Sequence, residues 1–170
     1  MTVGVIDVEL RASEFASRRA HFEQLYAEHY PRLAGYCFGL VGDRMIAADI
    51  AQETFTRLFA RLTAVREPKA WVYLVATNLC HDRWRTQERD RLLDGRLQES
   101  SHHLAPAHDP WVRDLVDRLP DRLRVVVLLH YYADLPVADV AHALHRPVGT
   151  VKRRLSEARA ILATNAGSDQ

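Results

Sequence analysis

Lysine is nearly absent from this 170-residue chain, since only Lys69 and Lys152 stand among its 23 basic residues. The 22 acidic residues leave a formal net charge of +1, which argues against indiscriminate binding to nucleic acids. Any DNA-binding argument therefore depends on where the charges lie. Arginine forms paired hydrogen bonds to phosphate and guanine and so suits DNA binding. A GC-rich genome nevertheless accounts for most of a preference for arginine over lysine.

Cysteine and long apolar runs are also scarce. Cys37 and Cys80 each lie in an apolar helical pattern without a CxxC partner, which favours two reduced core thiols of a cytoplasmic protein over a disulfide or a redox switch. No apolar run approaches the roughly 20 residues that span a bilayer. Residues 1–19 lack the apolar core and cleavage site of a signal peptide. Apolar residues still make up 48% of the chain, which is enough for folded cores.

Motifs for catalysis and for cofactors are missing as well. The sequence contains no glycine-rich phosphate loop, no nucleophile elbow and no HExxH metal motif. Asp49 and Glu53 share one helix face without a partner base. We therefore expect a protein that is not an enzyme and has no catalytic residue, no cofactor and no metal. His102, His103 and His108 lie in a predicted linker, where a fixed ligand set is not expected.

Helical periodicity runs through almost the whole chain, with no internal repeat and almost no strand pattern. Residues 1–14 are only weakly patterned and are expected to be mobile, and Pro31 is expected to kink or divide the first helix. Residues 91–110 have the polar, proline-bearing composition of a linker. We therefore predict an all-α fold of two small helical domains, a three- to four-helix bundle over 15–90 and a four-helix domain over 111–164. Helices are predicted over residues 15–41, 44–62, 68–90, 111–119, 120–132, 136–144 and 150–163.

The strongest local feature lies between Leu135 and Arg159, where two short helices flank a tight turn, as in a helix-turn-helix. The N-terminus of the second helix offers backbone N–H groups to a phosphate. Its polar face either reads DNA in the major groove or is the solvated side of an ordinary amphipathic helix. That face carries Thr150, Lys152, Arg153, Arg154 and Arg159.

Two blocks of sequence resemble the extracytoplasmic-function (ECF) sigma factors of bacteria. LPDRLRVVVLLHYYADLPVADVA at 119–141, followed by PVGTVKRRL from Pro147, is similar to their fourth conserved region. DIAQETF at 49–55 and AWVYLVATNLCHD at 70–82 are similar to their second region. The likeness implies an alternative sigma factor that binds core RNA polymerase and directs promoter-specific transcription initiation. A free-standing helix-turn-helix regulator is the alternative, but it leaves the first-half motifs without a role.

The resemblance also implies roles for individual residues. Asp49, Gln52 and Glu53 would dock on the β′ clamp helices of core polymerase, or else they are plain surface residues. Asn78 would hold an unstacked base unless it is buried, and Trp71 would stack on a base unless it packs in the core. The minus-ten element would be bound by Trp71, Asn78, Arg83 and Arg85, and the minus-thirty-five element by Thr150, Lys152, Arg153, Arg154, Glu157 and Arg159. The polymerase β flap and an anti-sigma factor are implied as further partners.

Three features depart from the usual ECF pattern. The segment from Thr63 to Lys69, between the second and third helices, is shorter than in many relatives. Glu157 stands where many relatives carry arginine; its carboxylate would repel phosphate, accept a hydrogen bond from cytosine N4, or pair with a neighbouring arginine along the helix. His145 replaces a glycine that is common in the turn, and histidine adopts a left-handed conformation at some cost.

Overall fold

The computed structural model describes residues 3–94 and 118–166. Within these ranges every regular element is helical and no strand occurs, so the predicted all-α fold is confirmed. Most of the predicted linker, and nearly all of the helix predicted at 111–119, lie outside the described residues. The elements are α1 (Val3–Val41), α2 (Arg44–Arg61), α3 (Pro68–Asp94), α4 (Asp121–Val127), a π-helical segment (Leu128–Tyr132), α5 (Val137–Ala143) and α6 (Val148–Ala166).

The first helix is longer than predicted and is undivided. It begins at Val3, so residues 3–14, which are only weakly patterned in the sequence, are helical; that they are mobile stays a prediction. Residues 3–14 contain no proline, and a helix whose C-terminal half is packed extends toward its N-terminus at little cost. Pro31 does not divide α1. It lies exposed on the helix surface, where its ring removes one intrahelical hydrogen bond without ending the helix.

Gly42 and Asp43 form the predicted turn between α1 and α2. Gly42 has a φ of 72°, and its N–H donates to the Phe38 carbonyl oxygen at 2.9 Å, which closes α1 with the left-handed residue that glycine favours. The Asp43 side chain then caps α2, because its Oδ1 accepts from the Ile46 N–H at 2.9 Å. The predicted apolar stripe of α2 is confirmed, with Phe55 among its buried members.

The three N-terminal helices enclose a core that contains a satisfied polar group. The Tyr36 hydroxyl lies 2.6 Å from Thr77 Oγ1, and Thr77 donates in turn to the Tyr73 carbonyl oxygen at 2.6 Å. Burial raises the pKa of Tyr36 well above its ordinary value. Cys37 and Cys80 are also buried and are not joined in a disulfide, as the sequence predicted.

The C-terminal elements form the predicted helix-turn-helix, with α5 and α6 on either side of the turn. His145 in that turn has a φ of 49°, so the expected left-handed conformation is confirmed. The helix predicted over 120–132 is present, but it widens into the π-helical segment, where the Ala133 N–H donates to the Leu128 carbonyl oxygen at 2.8 Å. Asp134 follows with a φ of 54° and redirects the chain into α5.

Candidate nucleic-acid interface

The three residues predicted to dock on polymerase share one exposed face of α2. Asp49, Gln52 and Glu53 are all exposed, whereas the residues of the apolar stripe turn into the core. Glu53 Oε1 accepts from Arg57 Nε at 2.7 Å, one helical turn away, and about half of each side chain is exposed. Such a pair is weak in water, so Glu53 remains available to another cation.

The residues predicted to meet the minus-ten element are spread along α3. Trp71 is half-buried and lines an open groove of about 400 Å³ beside the loop that precedes α3. Asn78, about two turns further along, is exposed, which excludes the buried alternative. Arg83 and Arg85 are exposed on the second half of α3, and Arg85 Nη2 donates to Asp82 Oδ1 at 2.7 Å. The structure therefore leaves the amide and both cations accessible.

The residues predicted to meet the minus-thirty-five element lie along α6. Its Val151, Leu155 and Ala158 side chains are buried against the domain, which turns the polar face outward. Lys152, Arg153 and Arg159 are exposed, whereas Thr150, Arg154 and Glu157 are half-buried. Arg153 and Glu157 act electrostatically on Arg154 and so lie on one surface with it, and Lys152, Arg153 and Arg159 present cations at exposed positions of the helix.

Two arginines that sequence reasoning missed belong to the same surface. Burial lowers the pKa of the Arg154 guanidinium, and the cations of Arg146, Arg122 and Arg153 lower it further. Arg146 stands in the helix-turn-helix turn and Arg122 in α4. Arg146 could have been found from its place within the predicted turn. Arg122 carried no such signal, because only packing of α4 on α6 brings it there.

Glu157 has a partner that none of the three sequence-based interpretations named. Its Oε1 accepts from Arg122 Nη2 at 2.7 Å, across 35 positions of sequence, and the two side chains are 40% and 61% exposed. The carboxylate on the predicted DNA-binding face of α6 is thus partly neutralised by an arginine from another helix. Arg122 in this way supplies a cation close to the position where many relatives are expected to carry one.

Two kinds of feature are absent from the described residues, metal clusters and membrane-spanning helices. Within 3–94 and 118–166, no group of three or more His, Cys, Asp and Glu side chains is arranged to hold a metal ion. His102, His103 and His108 lie outside these ranges. None of the helices in the same ranges combines the length and apolar character that crossing a bilayer requires.

Comparison with known proteins decides the family. Residues 25–90 match the family described as sigma-70 region 2, and residues 110–162 match the one described as sigma-70, region 4. The ECF RNA polymerase sigma factor SigW of Bacillus subtilis is 30% identical over 146 residues, which cover 74% of this chain and 78% of SigW. The chain belongs to the ECF sigma factors. It is an alternative sigma factor that binds DNA and directs promoter-specific transcription initiation.

Other relatives agree with this assignment to the ECF sigma factors. The ECF sigma factor SigL of Mycobacterium tuberculosis is 30% identical over 152 residues, covering 82% of this chain and 85% of SigL. The sigma factor RpoE of Bartonella quintana, solved with the anti-sigma factor NepR, has a TM-score of 0.75 at 23% identity, over 88% of this chain and 99% of that one. CnrH, solved with the cytosolic domain of CnrY, has a TM-score of 0.63 at 23% identity, over 89% and 91%. These two likenesses show a shared fold.

Proposed function

We propose that this sigma factor divides promoter recognition between two modules, residues 15–90 and 111–164, joined by a linker at 91–110. The N-terminal module docks on core RNA polymerase and holds the melted minus-ten strand. The C-terminal module binds the polymerase β flap and places α6 in the major groove of the minus-thirty-five element. The observation that carries the proposal is that one chain presents an acidic and amide face on α2 and a separate, mostly basic face on α6.

The α2 face suits a cationic protein surface rather than DNA. Asp49, Gln52 and Glu53 are exposed side by side, and two carboxylates would repel phosphates. Charged groups on such a rim steer association and select the partner more than they add affinity. We therefore assign this face to the β′ clamp helices.

The exposed half of α3 suits single-stranded DNA. Asn78 presents an amide, which can pair with the edge of a base that has left the stack. Trp71 lines the open groove and supplies an aromatic ring for stacking. Arg83 and Arg85 lie further along the same helix, where phosphates of the strand would follow. Stacking on an aromatic ring contributes about 1–3 kcal/mol per base, which helps to offset the cost of unstacking.

The α6 face suits duplex DNA. Arg153 and Lys152 are exposed near the N-terminus of α6, the end that enters the groove in helix-turn-helix proteins. An arginine that binds guanine through O6 and N7 discriminates by about 1–3 kcal/mol. Arg122 and Arg146, which flank this helix, are assigned to phosphates, since their contribution is charge rather than base reading.

The remaining partners follow from the same assignment. The two solved relatives were captured with NepR, an anti-sigma factor, and with the cytosolic domain of CnrY, which supports an anti-sigma factor as a partner of this chain. We propose that the chain works in the cytoplasm, where the polymerase is. The polymerase supplies the nucleotidyl-transfer chemistry, and this chain has no catalytic residue, cofactor or metal of its own.

Run-off transcription with core polymerase and a promoter library tests the proposal. Asn78→Ala and Arg153→Ala should each lower specific transcript by about tenfold, whereas Arg19→Ala, at an exposed arginine of α1 that belongs to none of the assigned faces, should leave it unchanged. Asp49→Ala should weaken binding to core polymerase without changing binding of the isolated chain to DNA. Tight duplex binding with no transcript from any promoter would instead favour a free-standing regulator. Equal output from all variants would overturn the residue assignments.

A further inference from the structure

Aromatic side chains follow one another along the side of α1 that faces α2. Spacings of four and seven residues place those of α1 above one another on the helix. The ring centroids of Phe22 and Phe59 lie 4.9 Å apart, edge to face, and those of Tyr26 and Tyr30 lie 4.6 Å apart, stacked. Phe15 and Tyr26 are 52% and 37% exposed, so packing leaves part of this aromatic strip accessible. The aromatic strip consists of Phe15, Phe22, Tyr26 and Tyr30 of α1 and Phe59 of α2.

Arg18 holds the outer end of the aromatic strip in place. Its guanidinium carbon lies 5.5 Å from the centroid of the Phe15 ring and 5.2 Å from that of Phe59, so one cation contacts a ring on each helix. Arg18 Nε is buried and has no hydrogen-bond partner in the part of the chain that the structure describes. The guanidinium therefore orders the Phe15 ring through ring contacts before any partner arrives, and such ordering lowers the cost of association.

The inner end of the aromatic strip adjoins the acidic face of α2. Burial raises the pKa of Tyr30, and Tyr26 and the Asp49 carboxylate add to the rise, so Asp49 acts directly on the last ring of the strip. One side of α2 also leads from the acidic face back to the strip. Along that side, at spacings of three and four residues, lie Asp49, Gln52, Thr56 and Phe59. The acidic face and the aromatic strip therefore form one continuous surface.

This combined surface suits a helical protein partner. At 1.5 Å per residue, the strip from Phe15 to Tyr30 is about 22 Å long, which is the length of four turns of a helix laid beside it. Exposed aromatic side chains next to a charged rim are typical of protein–protein interfaces, where a few such side chains contribute most of the binding energy. The neighbouring carboxylates of Asp49 and Glu53 would repel the phosphates of a nucleic acid.

We propose that the aromatic strip extends the polymerase-docking surface, so that the β′ clamp helices contact Phe15 and Tyr26 as well as the acidic face of α2. This inference rests on the proposed docking of α2 on core polymerase. The match to sigma-70 region 2 begins at residue 25, so Phe15, Arg18 and Phe22 enlarge the surface beyond the matched residues. Phe15, the most exposed ring of the strip, is the outer anchor of this interface.

Binding of the full-length chain to core polymerase, measured by fluorescence anisotropy, tests the role of Phe15. Phe15→Ala should weaken binding by about tenfold, as truncation of an aromatic anchor does, and Phe15→Tyr, which keeps the ring, should bind like the wild type. Alanine is a good helix former, so circular dichroism should show α1 intact. Gln24→Ala is the matched control, because Gln24 is exposed two and a half turns further along, on the opposite side of α1.

Asp49→Ala separates this inference from the assignment on which it rests. If Asp49→Ala weakens binding to core polymerase and Phe15→Ala does not, the aromatic strip takes no part and the inference fails, while the docking of α2 stands. A photoreactive variant, Phe15→benzoylphenylalanine, gives an independent result in the assembled holoenzyme. It should cross-link to the β′ clamp helices. A cross-link to a second copy of this chain, or only to other parts of the polymerase, would overturn the inference.

Discussion

The pair between Arg122 and Glu157 makes a prediction that distinguishes DNA binding from folding. The two side chains are 61% and 40% exposed and lie 2.7 Å apart. An exposed pair of this kind contributes about 0.2–1 kcal/mol to the free energy of unfolding. Arg122→Ala should therefore lower the thermal midpoint by no more than a few degrees, and Glu157→Gln should do the same.

The effect on binding to a minus-thirty-five duplex should be larger. Removing Arg122 leaves the Glu157 carboxylate unneutralised on the side of α6 that we propose faces DNA. For a phosphate taken to lie about 7 Å away, the repulsion would be about 0.6 kcal/mol at the dielectric constant of water and about 2.4 kcal/mol at an effective value near 20. Arg122→Ala should therefore weaken binding by about tenfold, whereas Glu157→Gln should strengthen it several-fold.

A double-mutant cycle measured by fluorescence anisotropy checks this reasoning. In the Glu157→Gln background, Arg122→Ala should lose only the DNA affinity that one phosphate contact provides. The slope of the logarithm of the binding constant against the logarithm of the salt concentration should then fall in magnitude by about one. If Arg122→Ala weakens DNA binding equally with and without the Glu157 carboxylate, the two residues do not act together and the reasoning fails. A destabilisation well above 1 kcal/mol would show that the pair serves folding instead.

Three further predictions concern stability. His145→Gly should raise the free energy of unfolding by about 0.5–1 kcal/mol, since glycine adopts a φ near 49° without the steric cost; a loss of stability in urea would contradict this. Tyr36→Phe should cost about 1 kcal/mol because a buried hydrogen bond disappears while Thr77 keeps its own acceptor, and an unchanged urea midpoint would refute the role of that bond. Burial, followed by the Arg85 charge, lowers the pKa of His81. The native state therefore binds a proton at His81 less readily than the unfolded chain does. The free energy of unfolding should fall as the pH drops from about 6.5, the usual histidine pKa, through the lower pKa of the native state. His81→Gln should remove that part of the slope in thermal unfolding between pH 7.5 and 5.5.

Local features of the fold and the site could be predicted because local sequence determines them. The apolar stripe through Phe55 fixed which face of α2 turns inward, and the exposure of Asp49 and Glu53 followed from it. The left-handed conformation of His145 followed from its place in a tight turn. Each of these depends on residues within one or two helical turns.

Features that depend on distant residues could not be predicted in this way. Arg122 reaches Glu157 only because α4 packs on α6, and no spacing rule connects positions 35 apart. The π-helical segment carries an ordinary helical pattern, since one extra residue per turn changes backbone hydrogen bonding and leaves composition untouched. The sequence also gives no sign that position 35 requires glycine, because the side chain that would clash with a larger residue there is Tyr132, which belongs to the other module. The helix at residues 3–14 was missed because it extends a packed helix rather than following its own pattern.

The buried pair of Cys37 and Cys80 has a practical consequence. A hydrogen bond with Cys80, together with burial, raises the pKa of the Cys37 thiol well above its usual range, and both side chains are fully shielded from solvent. Alkylating reagents and peroxides react with the thiolate, so the cysteines of the folded chain should not react with them. Any native cysteine that reacts then reports a molecule whose helices α1 and α3 have separated, and the rate of that reaction measures how often they do so.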